Sequence, residues 1–217
     1  MSDLLDTSRR GSRFFAGLTT LGLIQCALAG VAHAEGNDPA AADTAAARAL
    51  AVDGMKLALA GRCEDAIGKL ERAQKLHPAP VILEQLGQCH IALGRIVEGT
   101  EMLRKLLLDP LPPHASPAIS KAYERAQATL ETALPKIASL TITVNAPDDA
   151  AVAVVVDGQP VPPALLGAAR PTNPGDRLIE ATAPGYLKAS AKVTLGNGGR
   201  RSVALELERD PAAKPAV

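Results

Sequence analysis

The stretch GMKLALAGR at residues 54–62 recurs as GQCHIALGR at residues 87–95, at an offset of 33 residues. Leu70 recurs as Leu103 at the same offset. A repeat of this length with helical periodicity is typical of stacked pairs of helices, not of a closed catalytic core. We therefore predict a helical array that acts as an interaction module.

The first 34 residues have the three parts of an export signal. Residues 9–13 hold three arginines, residues 14–32 form an apolar run, and Ala32-His33-Ala34 provides small residues at a cleavage site. We expect Sec-dependent export with cleavage after Ala34, which gives a periplasmic or secreted protein.

Three alternatives for this segment stay open. Arg9-Arg10 suggests twin-arginine export, although the hydrophobic residues expected just after the pair are absent. Cys26 suggests lipidation, although the bulky Gln25 occupies a position that favours a small residue. The segment also suits an uncleaved anchor.

Charge and composition exclude several classes of partner. The chain has 23 Lys and Arg against 23 Asp and Glu, so no electrostatic attraction draws it to nucleic acid or anionic lipid. Aromatic residues make up 2%, too few for a base-stacking platform. After residue 34 no apolar stretch is long enough to span a bilayer, so no transmembrane anchor is expected once the signal is cleaved.

Helical periodicity covers residues 44–134, after a leader at 35–43 that we predict to be flexible. In the first unit, Gly54 and Ala66 are small enough for two helices to approach closely. The space between the helices is filled by Leu50, Leu57 and Leu70, and Pro78 ends the second helix. These spacings, over residues 47–112, resemble the tetratricopeptide repeat (TPR), a 34-residue unit of two antiparallel helices. The second unit departs from that pattern at His90, where an aromatic is usual, and at Gly99, where Ala is usual.

A further helix is predicted after the proline-rich break at residues 109–113. Ser116 is a good N-cap and Pro117 suits the first helical position. Its apolar stripe is Ile119, Tyr123, Ala126, Leu130 and Leu134. This helix resembles the terminal cap that stacked repeats need.

From Pro135 the hydrophobic period changes from 3.6 to 2. Apolar residues alternate at Leu140, Ile142 and Val144, and again at Val152, Val154 and Val156, before a turn at Asp157-Gly158. Further strands are expected at 178–183, 188–195 and 201–207, with a hairpin turn at 196–199. We predict an α+β chain whose second half, 138–208, is a small antiparallel β-sandwich, followed by a polar tail at 209–217.

The second half resembles the PEGA domain, a small extracytoplasmic β-domain. The resemblance is carried, in order, by Asp157-Gly158, Pro174-Gly175-Asp176 and Gly185-Tyr186. Pro147-Asp148-Asp149-Ala150 stands where that family has its naming tetrapeptide. Together the halves resemble exported bacterial proteins that join TPR units to a PEGA domain, which implies a cell-envelope role without an established activity.

No constellation for catalysis is found. His77 and His114 fall in loops, His90 falls on a repeat helix, and none has a second ligand at metal-site spacing. Asp148-Asp149 suits a solvated turn, and no nucleophile motif is present. We expect no metal, no cofactor and no enzymatic activity.

Two cysteines, Cys63 and Cys89, remain outside the export signal. An even pair in an exported protein suggests a disulfide, because Cys63 falls in the turn after the first helix of unit one and Cys89 falls in the first helix of unit two, which should pack beside it. The alternative is two buried thiols that act as small hydrophobes.

The favoured function is protein–protein interaction or scaffolding in the cell envelope, with a protein or peptide ligand. In a TPR-like stack the first helix of each unit lines the concave face, which here gives a groove of Arg48, Met55, Leu59, Glu84, Gln88 and Ile91. The alternative is a module that binds cell-wall glycan through the β-domain.

Overall fold

A computed structural model describes residues 39–146 and 151–213. The export signal at 1–34, residues 35–38 of the leader and the tetrapeptide at 147–150 lie outside the described residues. In the described part, helices come first: α1 Pro39–Leu59, α2 Cys63–Leu76, α3 Pro80–Ala92, α4 Ile96–Leu108 and α5 Pro117–Ala133. Strands follow: β1 Ala138–Asn145, β2 Ala153–Val156, β3 Gln159–Val161, β4 Arg170–Thr172, β5 Gly175–Thr182, β6 Ala189–Leu195 and β7 Arg200–Glu206. The α+β class is thereby confirmed.

Helix α1 begins five residues before the predicted start at Thr44. The prediction of a flexible leader is therefore wrong for residues 39–43. Pro39 takes the first helical position, where its fixed φ favours a helix and its missing N–H costs nothing. The alanines that follow are the strongest helix formers, which extends the helix toward the N-terminus.

The repeated small residues allow each helix pair to pack closely. A Cβ on Gly54 would lie 2.7 Å from Leu70 Cγ, and one on Gly87 would lie 2.6 Å from Leu103 Cδ2. At Gly99 a Cβ would lie 2.5 Å from the carbonyl oxygen of Gly87. The departure from the usual Ala at this position follows, because α3 and α4 approach too closely there for any side chain.

Helix α5 packs on the second helix pair. Ser116 caps it as predicted, with its Oγ accepting the Ile119 N–H at 3.4 Å. Ala126 and Leu130 join Leu103 and Leu106 of α4 in one buried cluster, and Tyr123 packs at its edge. The apolar stripe of α5 is thus used against α3 and α4, as its spacing predicts.

The β half consists of two sheets with buried faces. One has the order β4-β1-β7 and the other β3-β2-β5-β6. The alternation predicted for the first strand is confirmed, since Leu140 and Ile142 are at most 1% exposed. Leu140, Ile142 and Ile179 contribute to one core shared by both sheets.

Two features of the β half differ from the prediction. β1 pairs with β7 in parallel, whereas the other pairings are antiparallel. A parallel pair needs a long crossover, and the strands of the other sheet supply it. The segment at 196–199 is not a hairpin turn, because β6 and β7 belong to different sheets and the segment connects them.

Residues 209–213 do not form a free tail. The Asp210 N–H donates to the Gly185 carbonyl at 3.0 Å, and the guanidinium of Arg209 lies 6.0 Å from the ring centre of Tyr186. These contacts secure the chain after β7 against the turn before β6. Residues 214–217 lie outside the described part.

Candidate functional site

The predicted groove is closed over its second unit. Glu84 is fully buried, Gln88 is half-buried and donates to Glu84, and Ile91 packs against the α4–α5 cluster. The prediction that these three line an open groove is wrong, because α5 covers that face of α3. On α1, Arg48 is exposed, Met55 is half-buried on the core, and Leu59 is 85% exposed.

A buried ion pair holds α5 on α3. Arg125 donates through Nε to Glu84 Oε1 at 3.0 Å and through Nη2 to Oε2 at 2.7 Å. Glu84 is 0% exposed, whereas the Arg125 side chain is 47% exposed. The hydrogen bond to Glu84 raises the pKa of Arg125 above its usual value. The pair is therefore a structural anchor with a fork-shaped, two-bond geometry.

Cys63 and Cys89 are placed to form the predicted disulfide. Their sulfurs are at bonding distance and their Cα atoms lie 5.0 Å apart, within the usual range for disulfides. The bond links the start of α2 to the last turn of α3 and so joins the two helix pairs covalently.

His90 is part of the packing between helices. It is 7% exposed, and neither ring nitrogen has a hydrogen-bond partner among the described residues. Burial lowers the pKa of His90 and the charge of Arg95 lowers it further, against opposing effects of Glu71 and Glu98. The imidazole is therefore neutral near pH 7 and fills the place of the usual aromatic.

A cleft of about 610 Å³ lies between α4 and the β half. We call it the junction cleft. Its apolar lining includes Val97 of α4, Leu134 and Ile137 of the connecting segment, and Leu165 of the loop between β3 and β4. Prolines complete it at Pro160, Pro162 and Pro171. A volume of this size is within the range typical of ligand sites.

Three charged side chains face the junction cleft. Arg104 is paired with Glu101 on the same helix, 2.5 Å apart, and both are half or more exposed. Arg170 of β4 is half-buried and has no ion-pair partner within residues 39–146 and 151–213. Among the described residues, the cleft therefore combines an apolar floor with one positive charge that has no ion-pair partner.

Asn173 fixes the wall of this cleft. Its Oδ1 accepts the Val97 N–H at 2.8 Å, and its Nδ2 donates to Glu98 Oε2 at 2.7 Å. Arg95, the residue before α4, provides no side-chain cap, so a side chain from the β half caps this helix instead. A second contact joins the halves where the Gly198 N–H donates to the Lys136 carbonyl at 3.0 Å.

Arg177 connects that cap to the predicted Asp157-Gly158 turn. Its guanidinium donates to the carbonyls of Asn173 and Pro174 and to Asp157 Oδ2, at 3.0, 2.6 and 2.8 Å. Burial acts to raise the pKa of Asp157, but bonds from the Leu178 N–H and from Arg177 outweigh it and the pKa is lowered. These hydrogen bonds tie the Asn173 loop to the Asp157-Gly158 turn.

Other kinds of site are not found in the part of the chain that the structure describes. There, no three His, Cys, Asp or Glu side chains are grouped so that they could hold a metal ion. No helix in residues 39–146 or 151–213 is long and apolar enough to cross a membrane.

The chain matches no protein-family model and no curated protein. The residues of the junction cleft must therefore be interpreted from their own geometry.

Arg170, Leu165 and Asn173 are not among the residues that the sequence singles out. Asn173 precedes Pro174-Gly175, so the sequence predicts a turn there, and the residue does lie between β4 and β5. Its contact with Val97 spans 76 positions in the sequence. No local pattern encodes such a contact, so only the fold reveals the site.

Proposed function

We propose that this protein is a non-enzymatic interaction protein of the cell envelope, exported to the periplasm or secreted, which binds a partner protein in the junction cleft. One observation carries the proposal: the walls of the cleft come from both halves, and the Asn173 cap holds them in place. A site that needs both halves gives a reason for their fusion in one chain.

The architecture supports a TPR-like array followed by a PEGA-like domain. Equivalent glycines, Gly54 and Gly87, contact equivalent leucines in the two helix pairs. The Asp157-Gly158 turn connects β2 to β3, where the PEGA resemblance expects a turn. The Cys63–Cys89 pair supports an oxidising compartment.

The polar groups of the junction cleft favour binding over catalysis. Its single carboxylate, Glu101, is neutralised by Arg104, and Arg170 supplies a positive charge. The glycan-binding alternative is less well supported, since the lining of the cleft includes no aromatic ring against which a sugar could stack.

The test is photo-crosslinking in the native cell, with a photoreactive amino acid placed at Leu165 of the complete chain. Matched controls carry it at Lys192, which is exposed on β6, or at Leu59 on α1. We expect one discrete protein adduct from position 165 and none from position 192.

Each other result has a distinct meaning. An adduct at position 59 alone would keep the interaction function and move the site to α1. Glycan adducts would favour the alternative function. The absence of adducts at all three positions would contradict the proposal.

A further inference from the structure

The junction cleft also carries information about the chemistry of its partner. The inference rests on the proposed function, because it concerns the same cleft. The relevant observations are the prolines at two edge strands, Arg170, which has no ion-pair partner among the described residues, and the mixed lining around it.

Prolines prevent the cleft from binding a partner as an added strand. Pro160 lies in β3 and Pro171 in β4, and each of these strands is the edge of its sheet. Proline has no N–H, so neither edge offers a continuous ladder to an incoming strand. Recognition must therefore come from side chains.

The charges of the cleft favour an acidic group. Arg104 and Glu101 neutralise each other, which leaves the half-buried Arg170 as the net charge of the lining. A carboxylate can accept two parallel hydrogen bonds from a guanidinium, and partial burial strengthens that contact.

The apolar surface favours a short branched side chain next to that carboxylate. Leu134, Ile137 and Leu165 surround the space, and Leu165 is 43% exposed. The Glu101–Arg104 pair adds an acceptor and donors that suit peptide amides. An acyl chain would instead need a lining without these charges.

We propose that the junction cleft binds a peptide segment of a partner protein in which an aliphatic side chain lies beside a carboxylate, with the carboxylate on Arg170. The apolar side chain enters the space lined by Leu134, Ile137 and Leu165. The segment binds without joining either sheet.

The probes are two synthetic peptides, Ac-GLVDG-NH₂ and its amide counterpart Ac-GLVNG-NH₂. Each is titrated into ¹⁵N-labelled protein, purified with its complete exported sequence, and followed by amide chemical shifts. We expect saturable shifts at Val97, Leu165 and Arg170 with the Asp peptide. Affinity should be about tenfold weaker for the Asn peptide, as for the loss of one charge-assisted contact.

Variants identify the cation. Arg170→Gln should weaken binding of the Asp peptide about tenfold, and Arg170→Lys should recover part of the loss. Arg72→Gln is the matched control, since Arg72 is exposed on α2 and outside the cleft lining. It should leave affinity unchanged, and circular dichroism should show that each variant is folded.

The proposal is overturned if the two peptides bind equally, if Arg170→Gln has no effect, or if the shifts fall outside the cleft. Decanoate is the probe for an acyl chain as the alternative occupant. Saturable binding of decanoate at the cleft without binding of the Asp peptide would also overturn the proposal. A protein adduct at position 165 together with failure of the peptide would retain the interaction function and reject only this partner chemistry.

Discussion

Replacing Arg125 by Met tests how α5 is held on the helix pairs. Oε2 of Glu84 has Arg125 as its donor, and Oε1 is shared by Arg125 and Gln88. The substitution keeps the apolar stem but leaves a fully buried carboxylate with the Gln88 amide as its remaining donor.

The expected magnitude follows from this burial. Removing one partner of a buried ion pair costs about 3–5 kcal/mol. The low end, about 3 kcal/mol, applies here because Arg125 is 47% exposed and its loss admits water. Glu84→Gln should cost only about 1–2 kcal/mol, since Arg125 can turn to solvent. The double variant should then be more stable than Arg125→Met alone.

Urea unfolding followed by circular dichroism at 222 nm measures these differences, and hydrogen exchange at α5 amides reports local opening. Arg104→Met is the matched control, because its pair with Glu101 is exposed and should contribute less than about 1 kcal/mol. The reasoning is refuted if Arg125→Met costs no more than the control, or if Glu84→Gln costs more than Arg125→Met.

Other parts of the structure give further expectations. Asn173→Ala removes the cap of α4, so it should lower the free energy of unfolding by about 1 kcal/mol and speed amide hydrogen exchange at the start of α4. Unchanged exchange there would contradict the capping role. Changing both Cys63 and Cys89 to Ser should lower the free energy of unfolding by about 3 kcal/mol. In the unmodified protein, alkylation after denaturation without reduction should leave both cysteines unmodified by intact mass; two alkylated thiols would exclude the bond. The lowered pKa of His90 means that below its ordinary value, 6.5, the unfolded chain binds a proton that the folded chain does not. Stability should therefore fall as pH drops through this range, and His90→Phe should reduce that slope; an identical slope would assign the effect to other groups.

The repeat and the small-residue contacts could be predicted because they are local in sequence. Gly54 and Gly87 each face a leucine 16 residues away, and the 33-residue offset shows the pattern twice. The spacing of hydrophobic residues, 3.6 in α5 and 2 in β1, also predicted these two elements, because each buries one face on the core.

The rest depends on contacts between distant positions. The charges of Glu84 and Arg125 give no sign of pairing at a separation of 41 residues. β3 and β4 were not expected, since three residues that include a proline cannot show an alternation. Alternation also does not specify the partner of a strand, which is why the parallel β1–β7 pair could not be anticipated.

Partner binding in the junction cleft requires that the helical and β halves keep one relative orientation, because both halves line the cleft. Residual dipolar couplings of backbone amides, measured in one alignment medium, test it directly. If this is so, couplings from α1–α5 and from β1–β7 should fit a single alignment tensor. Two different tensors in the unmodified protein would contradict the claim, because the walls of the cleft would then move independently.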